Sequence, residues 1–381
     1  LPQGWENNRL VIAQDSGARY VSVKSVLHPV VNTTSARLLI PAADFKVLSV
    51  PDSELESITR GPTLGILGAP DSLTPADRLV STGWVSCLGA GEQVSTAIGP
   101  GRAATPVERA AVVVRSAGTT FVVADGRRHR VDDRDISAVT IALRLDGRPA
   151  LAAPAAWLNL FPEGSALGPL SIDDLGSALP GLPAGASVGS VLALKGDQDG
   201  RRYLVLPDGT LESLSPVALE MYRLGSGSSV REVPVQAAQI RQLEVRPQSF
   251  SPKDWPLDLP TAVTGSPCAT LVAAPGAAPA VVLGATAEEP APTEAGRTVV
   301  DTGRGALVRA VSGPVLSKGP VLAVDQTATA YAVADADTEV LARLGYASDD
   351  VTPVPQAWAS LFRAGPVIGM EAAQTVVSGG S

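Results

Sequence analysis

One spaced pattern, written three times along the chain, limits the architecture more than any other feature. Pro51, Leu55, Ile58, Gly61, Leu64 and Gly65 keep the same offsets as Pro154, Leu158, Phe161, Gly164, Leu167 and Gly168. They recur as Pro355, Ala359, Phe362, Gly365, Ile368 and Gly369. Two copies add a tryptophan at the third offset, Trp157 and Trp358, where the first has Glu54. Proline suits the first turn of a helix and glycine a left-handed C-terminal cap, so each copy predicts a short helix. Offsets three, four and seven share one helical face, which makes Leu55, Ile58, Trp157, Phe161, Trp358 and Phe362 the expected repeat-core residues. Ser53 and Glu56 suit a capping box. A degraded copy is expected from Ser215 through Leu219 and Tyr222 to Gly225.

A second element precedes each helix. Gly17 to Val21, Gly118 to Val122 and Gly200 to Leu204 share a glycine, two residues, an aromatic and an apolar residue, and Ala328 to Ala332 repeats it without the glycine. Such runs read as a hairpin feeding a strand, with further turns at Asp125-Gly126 and Asp208-Gly209. Each unit is therefore expected to be a strand pair plus a short helix, too small to bury its own face well. Units one and two are separated by a segment holding Cys87, and units three and four by one holding Cys268. The stretch 273–296, rich in Ala, Pro and Gly, is expected to be largely surface loop.

The predicted fold is a β-rich α+β chain, elongated, with four divergent repeats around a discontinuous central β domain. Its boundaries are 4–65 for repeat 1, 66–109 for the first central segment and 110–172 for repeat 2. Repeat 3 is 188–249, the second central segment 250–302 and repeat 4 303–377. Gly 37 and Pro 32 favour short strands and turns over long helical bundles, and 45% apolar residues allow real cores. The two cysteines are read either as free and buried or as a disulfide, which requires an oxidising compartment. If the two inserted segments meet, such a bridge pins them together.

Composition also bounds the chemistry. A net charge of −8 disfavours nucleic acid as main partner. Two histidines, His28 and His129, and two cysteines leave no expected metal centre, cofactor or catalytic group. Gly185-Ala186-Ser187-Val188-Gly189 matches a nucleophile elbow, yet both histidines precede it, against the order that fold requires, so a flexible linker is expected. Asp15-Ser16-Gly17 and Asp301-Thr302-Gly303 look like the loops of an aspartic-protease dyad but read as turns, since the first falls where Asp199-Gly200 turns a hairpin. Arg127, Arg128, His129 and Arg130 read as a solvated hairpin face, neutralised by Asp125, Asp132, Asp133 and Asp135. Asn32-Thr33-Thr34 is a glycosylation sequon without expected consequence. No apolar stretch is long enough to span a bilayer, and a start at Leu1 without methionine suggests an excised or processed fragment.

The order repeat, cysteine segment, two repeats, cysteine segment, repeat resembles EccB, the membrane-anchored core component of type VII (ESX) secretion systems of actinobacteria. Matching stretches are Ser16 to Val21, Arg60 to Ile66, Trp84-Val85-Ser86-Cys87, Pro267 to Thr270, Gly345-Tyr346 and Val351 to Pro355. The resemblance implies an extracytoplasmic (periplasmic) location, with an N-terminal membrane helix outside this chain. It also implies a Cys87–Cys268 disulfide. The implied partners are the other core subunits, the motor ATPase and a mycosin-type protease, with self-association. The function it implies is structural, presenting surfaces for assembly and protein export. Two alternatives are a peptidoglycan-binding module and a nucleotide hydrolase, as the family is sometimes labelled. None of the five lysines follows a glycine, so the chain has no P-loop.

Overall fold

The computed structural model describes residues 1–226, 229–286 and 298–377. Four peripheral sheets are built on one strand path. In the second sheet, Ala110–Ser116, Thr119–Ala124 and Arg127–Val131 form an antiparallel meander. The chain then crosses through the helix Ile136–Ala142 to Leu151–Ala152, which lies parallel to the first strand. A single turn, Ala155–Leu158, returns it to Glu163–Leu167, parallel to the third strand. The third sheet repeats this with Val191–Leu194, Arg202–Val205 and Leu211–Leu214, then Glu232–Val235 and Val245–Arg246 on the two edges. The fourth does so with Ala306–Val311, Val321–Val324 and Thr329–Val333, flanked by Thr352–Pro355 and Arg363–Ala364. In the first sheet Leu10–Ala13, Arg19–Val23, Val26–Pro29 and Val47–Val50 follow the same path, and parallel bridges from Leu27 to Arg60 and Val30 to Leu64 take the fifth place.

Several sequence expectations need correction. Each unit is more than a strand pair with a short helix: a crossover helix spans every sheet, at Thr33–Leu39, Ile136–Ala142, Pro216–Ser226 and Thr338–Leu344. The supposed degraded copy from Ser215 is that crossover helix. The true third counterpart of the proline-led turn is Ala237–Ile240, capped by Gln236 in reciprocal bonds with Gln239. The proline-led helices last one turn, Asp52–Leu55, Ala155–Leu158 and Gln356–Ala359, and Ser53 caps nothing. Gly61, Gly164 and Gly365 therefore lie beyond the helices and are not their caps. A Cβ at these positions would overlap the rings of His28, His129 and Tyr331, each on the third strand of its sheet. Ala328 to Ala332 sits at the second hairpin of the fourth sheet, so Tyr331 corresponds to His28 and His129 and not to Tyr20. Within the stretch 273–296, Ala280–Thr286 is a strand of the central sheet, with Val281 and Leu283 buried, so the described part is half strand and not largely surface loop. Residues 287–296 of that stretch lie outside the described residues.

Edge chemistry follows the same register. Leu10 and Gln14 donate to the carbonyls of Lys46 and Val50, so Val47 and Ser49 turn their backbone groups outward. In the third sheet Val191 and Lys195 donate to Arg231 and Val235, which turns Pro234 outward. Pro234 and Pro353 stand two residues before the cap positions Gln236 and Pro355, as Ser49 stands before Pro51. Proline there leaves no N–H for a stray strand to pair with.

The central sheet has the order Thr298–Val300, Val94–Ile98, Trp84–Leu88, Ser266–Val272, Ala280–Thr286, Thr105–Pro106. Both cysteine segments thus contribute to one sheet. The segment ahead of each hairpin also reaches a peripheral sheet: Val80 donates to the Gly305 carbonyl, and Val263 to that of Ala111.

A disulfide-clasped central sheet as the candidate functional site

Cys87 and Cys268 face one another across the middle pair of the central sheet and are joined by a disulfide. The pairing is local in space and remote in sequence, with a separation of 181 residues. On one face of this sheet Trp84, Leu88, Ile98, Ala269, Leu271 and Leu283 enter the largest core of the molecule. The second and fourth peripheral sheets supply its other walls.

The residues taken as repeat cores have this wider use. Trp157, Phe161, Trp358 and Phe362 are all buried in that shared core. The Trp157 indole donates to the Ser86 carbonyl on the central strand, at 3.0 Å. The Trp358 indole donates to Leu160 of the second unit, at 3.3 Å. Trp84 meets Phe362 edge-on at 5.3 Å and Trp358 at 6.4 Å. Leu55 is buried and Ile58 half-buried in a separate cluster with Val11, Leu27 and Val50, apart from the core that holds Trp84, Trp157 and Trp358. The sequence therefore pointed to aromatic positions that the fold brings together, while their role as a junction had no periodic signal.

Two further junctions tie the periphery. Leu38 of the first crossover helix shares a cluster with Leu341, Leu344 and Tyr346 of the fourth unit. Tyr346 donates to the Thr74 carbonyl at 2.7 Å, and burial holds its phenol well above the usual range. In the same manner Val139 of the second unit packs with Val217 and Met221 of the third.

The catalytic look-alikes fall apart in space. Ser187 lies in a hydrogen-bonded turn, 3.4 Å from the Ser190 hydroxyl, so the segment is not a free linker. Asp15 and Asp52, remote in sequence, each accept with the carboxylate from the other's backbone amide, and a Ser16 side-chain bond holds the Asp52 carboxyl below its usual range. Asp301 is instead held by Arg102, at 2.6 Å. Asn32 is buried and caps a helix, accepting from Ser35. The basic run is not wholly a solvated face either. Strand alternation buries His129, whose pKa is lowered by burial, while Arg130 is exposed.

The sequence missed Glu212. It is fully buried on the third strand of the third sheet and accepts bonds from the Ser249 amide and hydroxyl and the Phe250 amide, which anchors the passage into the second central segment. Among the described residues no group of three or more His, Cys, Asp or Glu could hold a metal ion. No described helix is long and apolar enough to cross a membrane. Beside the disulfide runs a groove of about 450 Å³, lined by Val85, Ala97, Arg102 and Val299 as well as both cysteines. The arrangement offers a shaped surface beside a covalently clasped sheet.

Comparison with known proteins fits this picture. An "ESX-3 secretion system ATPase EccB3" of Mycolicibacterium smegmatis is 35% identical over 237 residues, covering 57% of this chain and 44% of the relative. An "ESX-5 secretion system ATPase EccB5" of Mycobacterium marinum is 31% identical over 266 residues, 64% of this chain and 52% of the relative. The chain spans about half the length of these relatives. A solved EccB3 dimer from the ESX-3 core complex superposes with a TM-score of 0.76 at 27% identity, over 96% of this chain and 99% of that one. The periplasmic assembly of an ESX-5 inner membrane complex shares the fold, with a TM-score of 0.66 at 23% identity, over 99% of this chain and 98% of that one. A family model matches residues 2–379, and the chain belongs to that family, described as type VII secretion system ESX-1, transport TM domain B.

Proposed function

We propose that this chain is the extracytoplasmic part of a structural and assembly subunit in a type VII secretion membrane complex. It works by presenting binding surfaces to the other core subunits, with a motor ATPase and a mycosin-type protease as further partners and self-association into the complex. The observation that carries the reading is the clasped central sheet. Three tryptophans and a disulfide are invested in making a fixed frame from remote pieces of chain. A disulfide favours the outer side of the membrane, in keeping with the periplasmic assembly named for one structural neighbour. Within that frame we assign units 4–65, 110–172, 188–249 and 303–377 as repeats, and 66–109 with 250–302 as the central domain.

The test is complementation of a deletion strain with the full-length gene. Loss of the membrane complex on native gels, and of substrate export, is expected when residues 66–377 are removed. Unchanged export would end the proposal. Glycan binding is disfavoured because Trp157 and Trp358 are fully buried; the protein should stay in solution when mixed with purified cell wall. The relatives' names contain the word ATPase. For this chain, stoichiometric nucleotide binding by calorimetry, with turnover lost on one substitution, would favour hydrolysis over scaffolding.

A further inference from the structure

The chain's two histidines occupy equivalent places. His28 and His129 each stand on the third strand of a peripheral sheet with the ring over a glycine, Gly61 or Gly164. Each Nδ1 faces the carbonyl of the next residue, Pro62 at 3.2 Å or Ser165 at 2.8 Å. A carbonyl only accepts, so Nδ1 of His129 carries the proton, and the neutral ring leaves Nε2 bare. The two sites differ in burial. The His28 bond is exposed, whereas His129 is fully buried and its Nε2 has no hydrogen-bond partner among the described residues.

We propose that His129 is a pH-sensitive latch that holds Glu163–Leu167 to the second sheet and loosens when its ring is protonated. A second N–H at Nε2 would point into a buried space without an acceptor, which costs free energy that opening the strand relieves. The charged groups around the ring are Asp254, from the segment entering the central domain, and Asp125 and Arg127 on its own hairpin. Asp254 and Asp125 favour the imidazolium and Arg127 opposes it, but burial is the largest influence and keeps the ring neutral. The facing strand offers backbone only, because Glu163 turns to Arg128. The latched strand is also where neighbours attach. Asp254 accepts from the Ser165 amide at 2.8 Å, Trp255 donates to the Ala166 carbonyl at 3.0 Å, and the Leu170 amide just beyond donates to Met221 of the third unit. Releasing it slackens the joint between the second and third units.

The sign follows from linkage. A native pKa below the ordinary histidine value means that the open form binds protons first, so closure is fully favoured above about pH 6.5 and weakens as pH falls below it. The opening equilibrium of this strand can rise by at most about 30-fold at pH 5, a ceiling set by the ordinary histidine pKa. The test is hydrogen exchange of the 163–167 amides between pH 7.5 and 5, corrected for intrinsic rates. Wild type should lose protection by up to that factor, His129→Gln should show none of the pH dependence, and His28→Gln should behave as wild type. Protection independent of pH in wild type, or the same dependence in His129→Gln, overturns the proposal. Should His129→Gln fail to fold, the two imidazole proton resonances of wild type decide, assigned by the one missing in His28→Gln. Titration of His129 below 6.5 supports the latch, and titration at or above 6.5 overturns it.

Discussion

Breaking the Cys87–Cys268 bridge should destabilise the central sheet by about 4–5 kcal/mol, mostly through the unfolded chain. Closing a loop of 181 residues removes entropy worth about 5 kcal/mol at 25 °C. If the second and third units stay folded while the centre melts, the flexible part of that loop shrinks to roughly 40 residues, and the figure falls only to about 4 kcal/mol because the dependence is logarithmic. The native side changes little, since the strands remain zipped by the three pairs that follow the bridge, Ser86 with Ala269, Val85 with Thr270 and Trp84 with Leu271. The assay is guanidinium unfolding of the Cys87→Ala/Cys268→Ala protein against the oxidised parent. Fluorescence reads the transition at Trp84, Trp157 and Trp358, which all lie in the shared core, in a background where Trp5 and Trp255 are phenylalanine. Reporting from one core matters because a chain of several modules need not unfold in two states. A difference below about 1 kcal/mol would refute the entropic account, and free thiols in non-reducing mass mapping would remove its premise.

Gly164→Ala should cost about 2 kcal/mol or more by forcing a methyl into the His129 ring, read as a lower thermal midpoint; an unchanged midpoint would mean that the ring yields freely. Ser49→Pro should shift stability by less than about 0.5 kcal/mol, since the equivalent outward positions already hold Pro234 and Pro353. A large loss would show the register of that edge to be misassigned. Burial raises the Tyr346 phenol above its ordinary value, so the unfolded chain deprotonates first and stability should fall as pH climbs past about 10. Tyr346→Phe should flatten that fall in alkaline melts while losing about 1 kcal/mol at neutral pH with the bond to Thr74.

How much of the fold the sequence disclosed depended on what each position had to do. Pro51, Pro154 and Pro355 stood out because proline suits the start of a helix, and each caps a one-turn helix. The third counterpart escaped because Gln236 does the same task with its side chain, in a reciprocal cap with Gln239. Glycine was also absent there for a reason. Gly61, Gly164 and Gly365 make room for a ring on the third strand, whereas the third sheet has Glu212 opposite Arg246. A carboxylate that reaches away to Ser249 and Phe250 needs no such space. The tyrosine pattern at Ala328 misled because either hairpin of a meander can carry an aromatic on a β-branched strand, and pattern alone does not number the turns. Small residues in 273–296 suggested loop, yet Gly284 is small because the backbone of Thr105 crosses close beside it. The crossover helices were too short, at seven residues in three of the four sheets, to raise a clear period.

The cysteine pair gains its meaning from how the two halves of the chain exchange. Each half runs peripheral sheet, cysteine hairpin, peripheral sheet. Exchanging the halves maps Trp84–Leu88 onto Ser266–Val272 and Val94–Ile98 onto Ala280–Thr286, and leaves the order of the four inner strands unchanged. It also maps the helix contact between the first and fourth units onto that between the third and second. The Cys87–Cys268 pair closes one end of the ladder between the two strands that exchange. The outer strands depart from it, since Thr105–Pro106 runs antiparallel to its neighbour and Thr298–Val300 parallel. A hairpin of two strands is marginal alone in water, and here each half contributes only one to the centre of the sheet. The half-molecules thus complete one another through hydrogen bonds, the tryptophan core and one covalent bond, and rigidity at the centre comes from joining what the sequence keeps far apart. Such a frame fixes the relative position of four outer surfaces, which is the mechanical property that an assembly subunit needs and a single catalytic pocket does not.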